Sequence, residues 1–154
     1  GLQRTRLPGR IEVRGQLVID TAHNPAEISA LSRSLRNVIP DGGKRIVLCG
    51  ISDTKDHNAM LREIGDLGDI IIFTKAGYRG HDPNSLKHLA RSLDEFDTVD
   101  GILVVEESDR AYRLAQNMRD IQGNDSWLIV TGSTFLIDEI FNPDRELRRI
   151  NSGK

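Results

Sequence analysis

Five short apolar runs alternate with five amphipathic segments along this chain, and that alternation constrains its fold more than any other feature. The runs are Leu17–Ile19, Ile46–Cys49, Ile70–Phe73, Ile102–Val105 and Leu128–Val130. Unbroken stretches of this kind, rich in β-branched residues, suit strands covered on both faces, as in a parallel sheet. Between the runs, apolar residues recur at spacings of three and four, which marks one buried face per helix. The first helical segment runs from Ala26 to Val38, with Ile28, Leu31, Leu35 and Val38 on one stripe. The second covers about Asn58 to Leu67, the third about Asn84 to Leu93, the fourth about Asp109 to Ile121 and the fifth about Thr134 to Phe141. Repeated strand–helix alternation predicts an α/β fold: a doubly wound, mostly parallel sheet with helices on both faces. Ahead of it, Ile11-Glu12-Val13 and Gln16–Ile19 flank Arg14-Gly15, a tight-turn signal that predicts a small hairpin at the N-terminus.

Length and composition narrow the function classes. A chain of 154 residues can build one domain with a proper core but not two ordinary ones. A net charge of −2 provides no global field for nucleic acid. The apolar runs reach four or five residues, far short of the ~20 that span a bilayer. No secretory signal is visible, and Cys49 is the single cysteine, so no internal disulfide forms. Both features favour a reducing compartment, and the expected location is cytoplasmic. Cys49 ends an apolar run and reads as a buried small hydrophobe. The four histidines are scattered and have no cysteine partners, so no metal site is expected. Of these, His57, His81 and His88 read as surface or helix residues. Arg145, Arg148 and Arg149 read as the solvated face of a charged tail.

The chemistry concentrates where strands end. Ile19-Asp20-Thr21-Ala22-His23-Asn24-Pro25 packs an Asp, a His and an Asn into five residues between the first predicted strand and helix. In open α/β sheets ligands bind at the carboxyl ends of strands, and helix N-termini offer unpaired N–H groups to anions. Capping preferences explain Asn24 as N-cap and Pro25 as the first helical residue. They leave Asp20 and His23 with no structural role. Neither a G-x-G-x-x-G fingerprint nor a G-x-x-x-x-G-K-[ST] loop occurs, which disfavours a nicotinamide oxidoreductase and leaves the chain without a P-loop. Three further strand ends are polar: Gly50-Ile51-Ser52-Asp53-Thr54-Lys55-Asp56, then Thr74-Lys75, then Thr131-Gly132-Ser133-Thr134. The topology puts them on one sheet edge, so a carboxylate, an imidazole, an ammonium and hydroxyls are expected to converge on one cleft. Each has a plainer alternative. Lys55 fits a solvated lysine, Asp53 or Thr54 a cap for the second helix, and Ser133 the N-cap of the fifth.

Four segments, in order, carry a family resemblance: Leu7-Pro8-Gly9-Arg10-Ile11-Glu12, Asp20-Thr21-Ala22-His23-Asn24-Pro25, Lys55-Asp56 after a strand and a glycine, and Val130-Thr131-Gly132-Ser133. Together they resemble the C-terminal domain of folylpolyglutamate synthases and dihydrofolate synthases, in the Mur ligase superfamily of ATP-dependent amide-bond ligases. The likeness runs from Gly1 to about Phe141. It implies a hinge at residues 1–10, a Rossmann-like domain at 11–143 and a charged tail at 144–154. It also implies an upstream P-loop ATPase domain. ATP and Mg would be held with that domain, none by this chain alone, and the chain alone would be inactive. Arg10 would reach ATP phosphates, Asp20 would bind the ribose or orient the nucleotide, and Asn24 would lie on the nucleotide side. His23, Lys55 and Ser133 would hold the incoming L-glutamate, with Lys55 and Ser133 on its carboxylates and His23 as the candidate catalytic residue. The acceptor would be a folate or dihydropteroate. Two departures stand out: Leu7 replaces a frequent aromatic, and Lys75–Pro83 matches no pattern of the family. The wording of the motifs favours the folate branch over the branch that builds peptidoglycan precursors. A stand-alone small-anion-binding or regulatory module on the same fold is the alternative from a different class.

Overall fold

A computed structural model describes residues 11–144 and, as backbone, Arg4–Arg6. Its strands are β1 (Arg4–Arg6), β2 (Glu12–Arg14), β3 (Leu17–Ile19), β4 (Arg45–Cys49), β5 (Ile70–Lys75), β6 (Gly101–Glu107) and β7 (Trp127–Thr131). Its helices are α1 (Pro25–Val38), α2 (His57–Ile64), α3 (Pro83–Ala90), α4 (Ser108–Gln122) and α5 (Thr134–Phe141). Every predicted run lies in a strand and every amphipathic segment seeds a helix. The predicted hairpin is present, with Val13 opposite Val18 in an antiparallel pair.

The strands form one sheet in the order β1-β2-β3-β7-β4-β5-β6. β1, β2 and β3 pair antiparallel, and the five strands from β3 to β6 pair parallel. The fold is thus the predicted Rossmann-like α/β arrangement. Successive residues of a strand point to opposite faces, and the core divides accordingly. Val47 and Ile71 pack with α1, α2 and α3 through Ile28, Leu31, Met60, Leu61 and Leu86. Ile46, Leu48 and Ile72 pack with α4 and α5 through Ala111, Ala115, Leu136 and Ile137. Cys49 is fully buried, as expected, and burial pushes its thiol up to about 12, so no reactive thiolate forms near neutral pH.

The sequence and the structure differ at boundaries. α2 stops at Ile64 and α3 at Ala90. Leu67 and Leu93 are still buried, but they close backbone turns onto Ile64 and Ala90 after the helices have ended. The cap of α2 is Asp56, which accepts from Ala59 N at 3.1 Å; neither Asp53 nor Thr54 serves. β1 carries no strand signal in the sequence, because Arg-Thr-Arg has no apolar pattern. Arg10 and the rest of the proposed hinge apart from Arg4–Arg6 lie outside the described residues, as do Arg145, Arg148 and Arg149 of the tail.

One topological detail positions the strand-end loops. β7, the last strand in the chain, lies between β3 and β4. The helices that follow β3 and β4 pack on one face, whereas α5, which follows β7, packs on the other. Neighbouring chains that depart to opposite faces leave a crevice at the carboxyl ends of their strands. This sheet therefore has such a point on each side of β7.

Candidate functional site

At the end of β3 the backbone is built to turn. Asn24, extended at φ −145°, accepts the Glu27 amide at 2.9 Å and caps α1, and Pro25 is its first residue. Asp20 is buried; its amide donates to Val130 O at 3.1 Å and its carboxylate accepts from Ala22 N at 2.8 Å. The Glu27 carboxylate accepts the His23 amide at 3.1 Å. The His23 ring puts Nδ1 at 3.0 Å from Thr21 O and 3.1 Å from Glu27 Oε1. Asp20 and His23 therefore both brace the turn, a structural role that capping preferences alone do not reveal and that corrects the expectation of none. A carbonyl only accepts, so Nδ1 carries the hydrogen, and in the neutral ring Nε2 is the acceptor nitrogen.

The β4 and β7 ends close over this turn. Gly132 N donates to Ala22 O at 3.1 Å, tying the β7 loop to the β3 loop. Gly132 has φ 108°, and a Cβ there would stand 2.5 Å from Gly50 O, so a side chain would push the β7 and β4 ends apart. Ser133 caps α5, its Oγ accepting from Phe135 N at 3.1 Å and Leu136 N at 3.3 Å. The same oxygen lies 3.5 Å from Ser52 Oγ in the β4 loop. Within that loop Lys55 N donates to Ser52 O at 3.2 Å, forming a tight turn.

The result is a cleft of about 220 Å³ lined by His23, Ser52, Lys55, Thr134 and Phe135. Three of the four predicted strand ends meet there. The Lys55 ammonium has no ion-pair or hydrogen-bond partner among the described residues. An ammonium, hydroxyls and the N-terminal turn of α5 together suit a carboxylate or another small anion. Ser133 is buried beside the cleft and does not line it, so its capping role is met and its contact to the cleft runs through Ser52. Asp20 and Asn24 belong to the same turn as His23 but are not on the cleft wall. Ser52 and Phe135 line the cleft without a sequence signal of their own. Ser52 stands in a polar strand-end loop with nothing to single it out, and Phe135 reads as ordinary helix apolar surface.

The remaining strand end goes elsewhere. Thr74 is buried and donates to Glu106 O at 3.0 Å, and Lys75 pairs with Glu106 at 3.3 Å. Lys75 belongs to a separate cleft of about 430 Å³ whose wall carries Glu106, Glu107, Asp109 and Glu139. It is the larger of the two, but its carboxylates would repel an anion. Among the described residues no group of three His, Cys, Asp or Glu side chains is placed to hold a metal ion, and no helix is long and apolar enough to cross a membrane.

Comparison with known proteins gives a consistent likeness. The family model for the Mur ligase, glutamate ligase domain matches residues 9–134. A probable bifunctional folylpolyglutamate synthase/dihydropteroate synthase of Haloferax volcanii is 27% identical over 142 residues, which is 90% of this chain and 16% of that protein. The Mycobacterium tuberculosis folylpolyglutamate synthase complexed with ADP superposes with a TM-score of 0.67 at 22% identity, over 84% of this chain and 29% of that one. A bifunctional folylpolyglutamate synthase/dihydrofolate synthase with Mn, AMPPNP and L-glutamate bound superposes with a TM-score of 0.66 at 22% identity, over 91% of this chain and 32% of that one. The chain thus spans about a sixth of the curated relative and under a third of these solved chains.

Proposed function

The chain belongs to the Mur ligase family of glutamate ligase domains, and from that premise we propose that it is the glutamate-holding, closing domain of an ATP-dependent amide-bond ligase that extends a folate or dihydropteroate carboxylate. The observation that carries the reading is the convergence of His23, Ser52 and Lys55 on one small cleft beside β7. The Lys55 ammonium pairs with a glutamate carboxylate, and the hydroxyl pair Ser52–Ser133 offers a donor to the same region.

In the proposed reaction ATP phosphorylates the acceptor carboxylate, and ADP leaves. The amine of glutamate attacks the resulting acyl phosphate, an amide bond forms and phosphate departs. The amine must lose a proton in that step. His23 is the proposed acceptor, because Thr21 O and the Glu27 carboxylate hold Nδ1 as a donor and leave Nε2 as the basic nitrogen. The rest of the domain's contribution is positioning: it fixes one reactant against the other and neutralises its charge. Asp20 and Asn24 build the turn on the proposed nucleotide side, and Arg10 is proposed to reach the ATP phosphates. Phosphate activation and the magnesium ligands are assigned to an ATP-binding domain, because this chain carries no P-loop and no three His, Cys, Asp or Glu side chains among its described residues are placed to share a metal ion.

The test is L-glutamate-dependent ATP hydrolysis by the gene product that contains this chain, with a reduced folate or dihydropteroate as acceptor. Lys55→Ala is expected to raise the KM for glutamate by about tenfold or more, the scale of one charge-assisted hydrogen bond, with little change in the KM for ATP. An unchanged glutamate KM would remove Lys55 from this role. Absence of turnover with either acceptor, in a folded product that binds ATP, would remove the folate assignment.

A further inference from the structure

We propose that His57 and His81 form a stacked imidazole clamp that positions the Lys55 turn, and are positioning residues for the substrate cleft. The inference rests on the reading of Lys55 as a glutamate ligand only for its consequence in catalysis; the clamp itself stands on geometry. The two rings come from different elements, His57 from the first position of α2 and His81 from the loop before α3. Their centroids are 3.9 Å apart with 30° between planes. Each ring also makes one polar contact to the β4 loop. His57 Nε2 lies 3.0 Å from Ser52 O, and His81 Nδ1 lies 2.8 Å from Asp53 Oδ1.

The His57 contact bears directly on Lys55. Ser52 O is the same carbonyl that accepts the Lys55 amide at 3.2 Å and closes the turn. A carbonyl oxygen has two lone pairs and only accepts, so His57 Nε2 is a donor and both lone pairs are used. His57 therefore fixes the atom on which the Lys55 backbone hangs. His81 fixes the next residue, and it does so from a loop already laid against this one. Ser52 and Gly80 form an antiparallel bridge, with Asp53 N on Arg79 O at 2.9 Å and His81 N on Ile51 O at 2.8 Å. Arg79 adopts φ 58° to make this approach, a left-handed conformation that a non-glycine residue holds only when its surroundings impose it. The loop between β5 and α3 is thus paired with the β4 loop that lines the cleft. Of the five residues lining that cleft, Ser52 pairs with this loop directly and Lys55 is tied to it through Ser52 O.

The clamp predicts local effects separable from folding, because neither imidazole belongs to the buried core. In amide hydrogen exchange on this chain, His57→Ala is expected to speed exchange at the Lys55 amide by about tenfold, the worth of one hydrogen bond, with core amides unchanged. His57→Gln places a side-chain N–H near the Nε2 position and His81→Asn places one near Nδ1, so both are expected to restore most of the protection that the alanine variants lose. In the gene product, His57→Ala and His81→Ala are expected to raise the KM for L-glutamate while leaving the KM for ATP and the kcat at saturating glutamate near wild type. Wild-type exchange at Lys55 in both alanine variants would overturn the clamp. So would an exchange increase that is equal across the core, or one that glutamine and asparagine fail to reverse. Faster Lys55 exchange with an unchanged glutamate KM would overturn the two histidines as positioning residues for the substrate cleft, whereas an unchanged glutamate KM in Lys55→Ala would overturn Lys55 as the ligand.

Discussion

Thr131 ends β7 fully buried, and its hydroxyl has no hydrogen-bond partner among the described residues. An orphaned buried hydroxyl costs about 1–3 kcal/mol, whereas replacing it with an apolar group of the same shape is neutral or favourable. Thr131→Val is therefore expected to unfold at equal or higher denaturant concentration than the parent, by up to about 1 kcal/mol, and to keep its glutamate KM. A clear loss of stability would mean that a buried water satisfies the hydroxyl; a loss of activity alone would assign it to the ligand. In the segment Thr131-Gly132-Ser133 the cap is legible in the sequence, and the roles of the other two residues are not. The first is an orphan, the second a close backbone approach and the third a cap. The first two roles depend on which strands flank β7, and so does the approach of Ser52 to Ser133, 81 positions apart. His57 and His81 read as surface or helix residues for the same reason, since their partners are loops met only in the fold.

Helix starts are more legible than helix ends. Asn24-Pro25 and Ser133 announce α1 and α5 because a cap is a local device. For α2 the sequence reads Asp53 or Thr54 as the cap, but Asp56 serves, and Asp53 contacts His81 instead. α3 begins on Asp82, whose carboxylate accepts from Asn84 N at 3.0 Å. That backbone N–H, then the Ser85 hydroxyl, the Asn84 side chain and the nearby His81, hold the Asp82 carboxyl below its ordinary value of 3.8. The folded pKa is depressed, so the stabilisation is complete above the unfolded value, about pH 4, and is lost as pH falls through the folded value. Asparagine also caps but does not titrate. Asp82→Asn is expected to show a flatter Tm-versus-pH curve below about pH 4 than the parent, with Asp82→Ala lower in Tm at neutral pH. Identical acid limbs in parent and Asp82→Asn would remove the cap from the acid response.

At the scale of the molecule, alternation foretells a parallel sheet but not its strand order. Nothing local says that the last strand belongs in the middle, because order is fixed by which buried faces meet and not by the period of any segment. The consequence is mechanical. β3 and β4 do not pair with each other; β7 pairs with both, Ile129 standing beside Val18 on one side and Val47 on the other. Without β7 the sheet divides into the antiparallel ribbon β1-β2-β3 and the parallel ribbon β4-β5-β6, joined through α1. A short antiparallel ribbon is marginal alone, and in a chain ended at Gly123 β4 would open its edge to water and lose α5 from the face of Ile46 and Leu48. A chain ended at Gly123, which keeps six of the seven strands, is therefore expected to lose cooperative unfolding and dispersed amide resonances altogether. Deletion of the edge strand β1 would cost far less. A truncated chain that still unfolded cooperatively, as followed by circular dichroism and amide dispersion, would contradict this strand order, and with it the placement of His23, Lys55 and Ser133 around β7.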